Sequence, residues 1–181
     1  MRRGLLWGAL FVAITPHQGQ TQEPVRAGMV GRAKVGKPAP EVVLNYFTAN
    51  GPGPADQPFR LTAELGRVLV IVFGPAGELD WWRSVSAGAD TAWSGAYLVG
   101  VVRDDPDVVG RVASLLSNVR TKLLADPGGQ GWRRYGVSRN QRALFVVGDD
   151  GRIVLAKGQF DPSAATEVAL VTKAVRDAGS R

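Results

Sequence analysis

Apolar and polar positions follow one another along this chain in two rhythms. Two runs, "RVLVIVF" (67–73) and "AYLVGVV" (96–102), are almost unbroken and rich in β-branched residues. Runs of that length predict strands buried on both faces of a mainly parallel sheet. The helical rhythm follows. In "DPDVVGRVASLLSNV" (105–119), Val108, Val112, Leu115, Leu116 and Val119 fall on one stripe of a helix. Pro106 suits the first turn of that helix, and Asp105 suits its cap. Ala164, Val168, Val171, Val175 and Ala178 stripe a closing helix in the same way. "ELDWWRSVSAGADTAW" (78–93) predicts a helix that starts near Glu78 and gives way to a loop.

Shorter segments complete the pattern. "PEVVLNYF" (40–47) predicts a first strand, "ANGPGPADQP" (49–58) a long loop and "FRLTAELG" (59–66) a short helical turn. "KLLAD" (122–126) predicts another strand, and "PGGQGWRRYGV" (127–137) a turn with a short helix. "RALFVVGDDGRIVLAKG" (142–158) predicts two strands around Gly148-Asp149-Asp150-Gly151, a hairpin with Asp-Gly at its turn. Strands alternating with helices, then a hairpin, then a helix, define an α/β fold with a mixed central sheet flanked by helices.

The N-terminus departs from both rhythms. "MRRGLLWGALFVAI" carries two arginines and then an uncharged apolar stretch from Gly4 to Ile14. That stretch is too short for a stable membrane-spanning helix, and it predicts a secretory signal peptide over 1–22, cleaved between Thr15 and Gln22. An uncleaved anchor is the alternative. Once the signal is removed, no stable membrane span is expected, and the protein is expected to be exported, periplasmic or extracellular. Residues 23–34 are polar and Gly/Pro-punctuated, as in a linker, and the domain is expected to occupy 35–181. The single histidine, His17, precedes the domain.

Composition narrows the chemistry. The formal charge is +6; without Arg2 and Arg3 of the signal it is (22 − 2) − 16 = +4. The basic residues are spread out, so a nucleic-acid partner is not expected. There is no cysteine, which removes disulfides, thiolate metal sites and thiol catalysis. With His17 outside the domain there is no Ser-His pair, and no ligand spacing supports a metal. No cofactor is implied. The acidic residues Asp104, Asp105 and Asp107 lie at a helix start, where carboxylates are favoured anyway. "DPGGQG" (126–131) is glycine-rich but lacks phosphate-loop spacing and the Lys-Ser/Thr that follows it.

Five strings in order carry a resemblance. They are "VGKPAPEVVL" (35–44), "RVLVIVFGP" (67–75), "GAYLVGVVRDD" (95–105), "LLADPGGQGWRRYGV" (123–137) and "RALFVVGDDGRI" (142–153). Over roughly residues 35 to 160 the chain resembles the thioredoxin-like superfamily. The likeness is to its peroxiredoxin branch in particular, the redoxin domains of the alkyl hydroperoxide reductase and thiol-specific antioxidant family. The resemblance implies a thioredoxin-like fold and places Arg142 where the family keeps an arginine beside its reactive thiolate. The active-site pattern itself departs. The family's Pro-x-x-x-Thr-x-x-Cys, laid on Pro75, puts Leu79 at the threonine and Trp82 at the cysteine. The thioredoxin Cys-x-x-Cys spacing, counted from Phe73, falls on Glu78 and Trp81. Neither register offers a thiol, and thioredoxin's cis-proline has no counterpart.

Peroxide reduction requires a thiolate that passes through sulfenic acid and is resolved by a second thiol. Glutamate and tryptophan supply neither, so this polypeptide alone is not expected to be a thiol peroxidase. Two arrangements stay open for Glu78, Trp81, Trp82 and Arg142. In one, the helix start and Arg142 hold an anionic ligand. In the other, Glu78 pairs with Arg142 and a tryptophan fills the vacated site. The expected function is a non-catalytic binding or accessory module whose partner is another protein or a small anionic ligand. The alternative is an antioxidant or thiol-dependent oxidoreductase role that uses a partner's thiol.

Overall fold

A computed structural model describes residues 33–116 and 120–180. The signal peptide expected over 1–22 and most of the expected linker lie outside the described residues. The packed domain reaches back to Ala33, which is buried in the core. A turn follows at Lys34–Lys37, with Gly36 at φ +80°, and ties this entry segment to Ile153 through a 2.8 Å backbone hydrogen bond.

The strands are β1 (Val43–Leu44), β2 (Tyr46–Thr48), β3 (Gly51–Pro52), β4 (Phe59–Arg60), β5 (Leu69–Phe73), β6 (Tyr97–Val102), β7 (Lys122–Ala125), β8 (Ala143–Val147) and β9 (Ile153–Gly158). The helices are α1 (Leu79–Asp90), α2 (Pro106–Ser114), α3 (Gln130–Tyr135) and α4 (Ala165–Ala178), with a 3₁₀ turn at Leu61–Glu64. Seven strands form one sheet in the order β3-β2-β7-β6-β5-β8-β9, and β1 pairs with β4 in a small separate ribbon. Strands β5, β6 and β7 run parallel; β8 lies antiparallel to β5, β9 to β8 and β2 to β7.

The central strands are apolar throughout because each faces two cores. Val70 and Val72 of β5 point to the side of α1 and α4, whereas Leu69, Ile71 and Phe73 point to the side of α3 and the β1–β4 ribbon. That two-residue alternation is what a strand covered on both faces requires.

Three expectations are refined. The predicted first strand splits at Asn45: β1 joins the ribbon and β2 joins the main sheet. The predicted loop after it contains β3, which closes a tight hairpin onto β2 at the sheet edge. On α2 the buried residues are Val109, Val112 and Ala113, followed by Leu116 just past the helix end. Val108 is half-buried and Leu115 is 53% exposed, because the helix stops at Ser114 and the expected stripe drifts off its inner face; Val119 lies outside the described residues. Asp105 does occupy the cap position with extended backbone, but its side chain makes no capping bond. Its carbonyl accepts instead from the Val108 and Val109 amides.

The other elements follow the pattern closely. In α4, Val171, Val175 and Ala178 are buried, Val168 is half-buried and Ala164 is the cap residue. The β8–β9 turn places Gly151 at φ +77°, a left-handed position that glycine adopts without a Cβ clash. Before α3, the buried Asp126 accepts from the Gln130 and Trp132 amides at 2.8 and 3.2 Å. These bonds anchor the start of a helix too short to persist alone.

Candidate functional site

The sheet brings the carboxyl ends of β5, β6 and β7 and the start of β8 to one edge. From the end of β5, Phe73, the chain passes through Gly74, Pro75, Ala76 and Gly77 into α1, whose cap residue is Glu78. Helix α1 thus begins where the sequence expects it. Arg142 precedes β8, whose first residue Ala143 pairs with Phe73, so Arg142 lies beside the loop that leads into α1.

An ion pair joins the two charged residues. Arg142 Nη2 lies 2.6 Å from Glu78 Oε2, with both side chains a little over one-third exposed. Glu78 Oε2 is shielded from water, and its close contact with Arg142 departs from linear hydrogen-bond geometry. The contact with Glu78, reinforced by the more distant Asp161, holds the Arg142 guanidinium above its already high ordinary pKa. The Asp161 carboxyl is held below its usual range, first by the Ser163 hydroxyl and amide and to a lesser degree by Arg142. At this exposure the Glu78–Arg142 pair contributes at most about 1 kcal/mol.

The tryptophans diverge. The Trp81 indole lies under Arg142, whose guanidinium carbon is 5.7 Å from the ring centroid. Its N–H donates to the Phe160 carbonyl at 3.3 Å. Phe160 in turn is tied to Arg142 by a backbone bond of 3.1 Å. Trp81 also covers Gly74: a Cβ built there would stand 2.4 Å from Trp81 Cζ3. Trp82, fully buried, turns toward the sheet and lies over Gly100, and its N–H donates to the Pro75 carbonyl at 2.9 Å. The two indoles meet edge to face at 4.9 Å.

The structure therefore brings Glu78, Trp81 and Arg142 into one cluster and directs Trp82 into the core. Of the two registers the sequence leaves open, the thioredoxin count places a residue, Glu78, against Arg142. The peroxiredoxin count places Trp82 inside the helix–sheet layer. Sequence reasoning missed the roles of Gly74 and of the Phe160 carbonyl. A glycine directly after the buried strand was a visible signal for the first; the second had none, because Phe160 is distant in sequence. Among the described residues no group of three His, Asp or Glu side chains could hold a metal ion.

No family model matches this chain, and no curated protein matches it in sequence. Solved structures do. A thiol peroxidase from Chromobacterium violaceum superposes with a TM-score of 0.64 at 16% identity, covering 82% of this chain and 90% of that one. The reduced 2-Cys peroxiredoxin of Plasmodium vivax gives a TM-score of 0.61 at 17% identity, over 79% and 82%. The peroxidoxin BcpB of Mycobacterium tuberculosis gives 0.60 at 19% identity, over 80% and 97%. The fold is thus thioredoxin-like, that of peroxiredoxins and related redoxin proteins, in a chain with no cysteine. No helix among the described residues is long and apolar enough to cross a membrane.

Proposed function

We propose that this protein is a redoxin-fold binding or accessory module that performs no thiol chemistry of its own. The observation that carries this reading is the occupancy of the start of α1. Glu78 and Arg142 neutralise each other there at 2.6 Å, and Trp81 fills the space between Gly74 and the guanidinium. A thiolate nucleophile needs an electropositive, partly open environment and a sulfur atom. Here the positive charge is already matched by a carboxylate, and the chain contains no sulfur except in its two methionines. The neighbours named as thiol peroxidase and 2-Cys peroxiredoxin make the peroxide assay the relevant test.

Purified protein given hydrogen peroxide with either dithiothreitol or a thioredoxin system is expected to consume peroxide at the rate of the reductant alone. Turnover above that background would overturn the reading. Turnover that appears only with a thiol-bearing partner protein would support the oxidoreductase alternative instead.

The module acts outside the cytoplasm in this proposal, on the strength of Arg2, Arg3 and the apolar stretch Gly4–Ile14. N-terminal sequencing of the mature protein is expected to find a first residue between positions 16 and 23. An intact Met1 on protein recovered from the cytoplasm would refute export.

A further inference from the structure

Away from the Glu78–Arg142 pair, two more arginines meet at the same edge of the sheet. Strands β6 and β7 end in register, Val102 opposite Ala125, so Arg103 emerges beside the turn Asp126-Pro127-Gly128-Gly129. A 2.8 Å bond from the Asp126 amide to the Val102 carbonyl fixes that juxtaposition. The Arg103 guanidinium lies over Gly129. A Cβ built on Gly129 would stand 2.7 Å from Arg103 Nε, 2.8 Å from Cζ and 3.2 Å from Nη2. Gly129 itself has φ +64°, a left-handed conformation that favours glycine, and the absent side chain leaves room for the guanidinium above it. Arg133 of α3 donates from Nη1 to the carbonyl of Gly128, the residue before Gly129, at 2.6 Å. Two guanidinium groups thus rest on one glycine turn.

Among the described residues, neither the Arg103 nor the Arg133 guanidinium has an ion-pair partner. The carboxylate closest in the turn, Asp126, is buried and spends both oxygens on the Gln130 and Trp132 amides. Asp104 and Asp105 follow Arg103 directly, yet Asp104 turns back on the Asp105 amide and neither reaches a guanidinium. No carboxylate occurs in the sequence between Asp126 and Asp149. The exposed Gly128 amide also has no protein acceptor. Guanidinium N–H groups without an ion-pair partner, half-buried at Arg103 and exposed at Arg133, are free to make charge-assisted hydrogen bonds to a bound anion.

We propose that Arg103, Arg133 and the Gly128 amide form a binding site for a phosphate group. The charge count selects the ligand class. Two guanidinium groups match a phosphate dianion, whereas a single carboxylate leaves one positive charge over. The planar donor forks also suit tetrahedral oxyanions. The glycine-rich segment 126–131 lacks the lysine of a phosphate-loop motif; arginines from β6 and α3 supply the cations that the local sequence does not. The site is separate from Glu78 and Arg142, and it stands whether or not that pair is a closed remnant.

Titration calorimetry at constant ionic strength tests the proposal with inorganic phosphate, phenyl phosphate and acetate as ligands. One of the two phosphates is expected to bind saturably and at least about tenfold more tightly than acetate. Inorganic phosphate binding the tighter identifies the free ion as ligand, and phenyl phosphate binding the tighter identifies a phosphorylated small molecule. Arg103→Gln and Arg133→Gln are each expected to weaken binding about tenfold or more. Arg134→Gln, whose guanidinium is engaged with the Glu41 carbonyl instead, is expected to leave it unchanged. Absence of saturable phosphate binding, equal affinity for acetate, or undiminished binding by the R103Q/R133Q double variant would overturn the assignment.

Discussion

Trp82→Ala is expected to remove a large share of the folding free energy. The side chain is fully buried between α1 and the sheet, against Trp81 and Gly100, and its N–H satisfies the Pro75 carbonyl. Truncating a buried tryptophan costs about 3–5 kcal/mol through lost burial and the cavity left behind. The orphaned Pro75 carbonyl adds to that unless water reaches it. Against a total stability of roughly 5–15 kcal/mol, the variant melts about 10 °C lower or fails to accumulate in folded form. Trp82→Phe separates the two contributions, since it keeps most of the apolar volume and loses the donor. A Trp82→Ala protein that unfolds at the wild-type denaturant concentration would show that the indole is not a core element.

Gly74→Ala tests the other indole. The added methyl would stand 2.4, 2.9 and 3.2 Å from Trp81 Cζ3, Cη2 and Cε3. The ring cannot retreat freely, because its N–H is held by the Phe160 carbonyl and Arg142 lies on its outer face. Overpacking of this kind costs about 1–3 kcal/mol, and a domain of this size then melts several degrees lower, roughly 3–10 °C. Shrinking the partner is expected to restore the loss. The double variant Gly74→Ala/Trp81→Leu should be more stable than the sum of the two single changes predicts, with a coupling of about 0.5 kcal/mol or more. Strict additivity would mean that Trp81 does not sit on Gly74, and the plugged-site reading would lose its main support.

Much of the architecture was legible because its causes are local in sequence. β5 and β6 announce themselves as continuous apolar runs, and only a strand covered on both faces tolerates such composition. Helix α1 starts at Leu79, next to the expected Glu78, since the Gly-Pro turn after Phe73 stops the strand and a helix-forming segment follows. What was not legible has a different origin. The division of 40–47 between two sheets depends on which neighbours β1 and β2 find, and neither β4 nor β7 is near them in sequence. The expected α2 stripe counted Leu115 as inward, but the helix ends at Ser114, so the residue swings into solvent.

The candidate site shows the same division. That no sulfur chemistry is open to cysteine-less residues 78–82 is a matter of composition, independent of any fold. The order of most strands and helices, and with it the α/β class with a mixed central sheet, follows from apolar periodicity and turn residues; the thioredoxin-like assignment rests on the resemblance of five strings to that superfamily. Which neighbour of the Trp81–Trp82 pair faces the arginine follows from neither. Consecutive residues on a helix point about 100° apart, and the sheet beneath α1 selects the one that turns inward. Likewise, Arg103 and Arg133 are thirty positions apart in the chain. They share one glycine turn because β6 and β7 end side by side, a long-range pairing that no local pattern encodes.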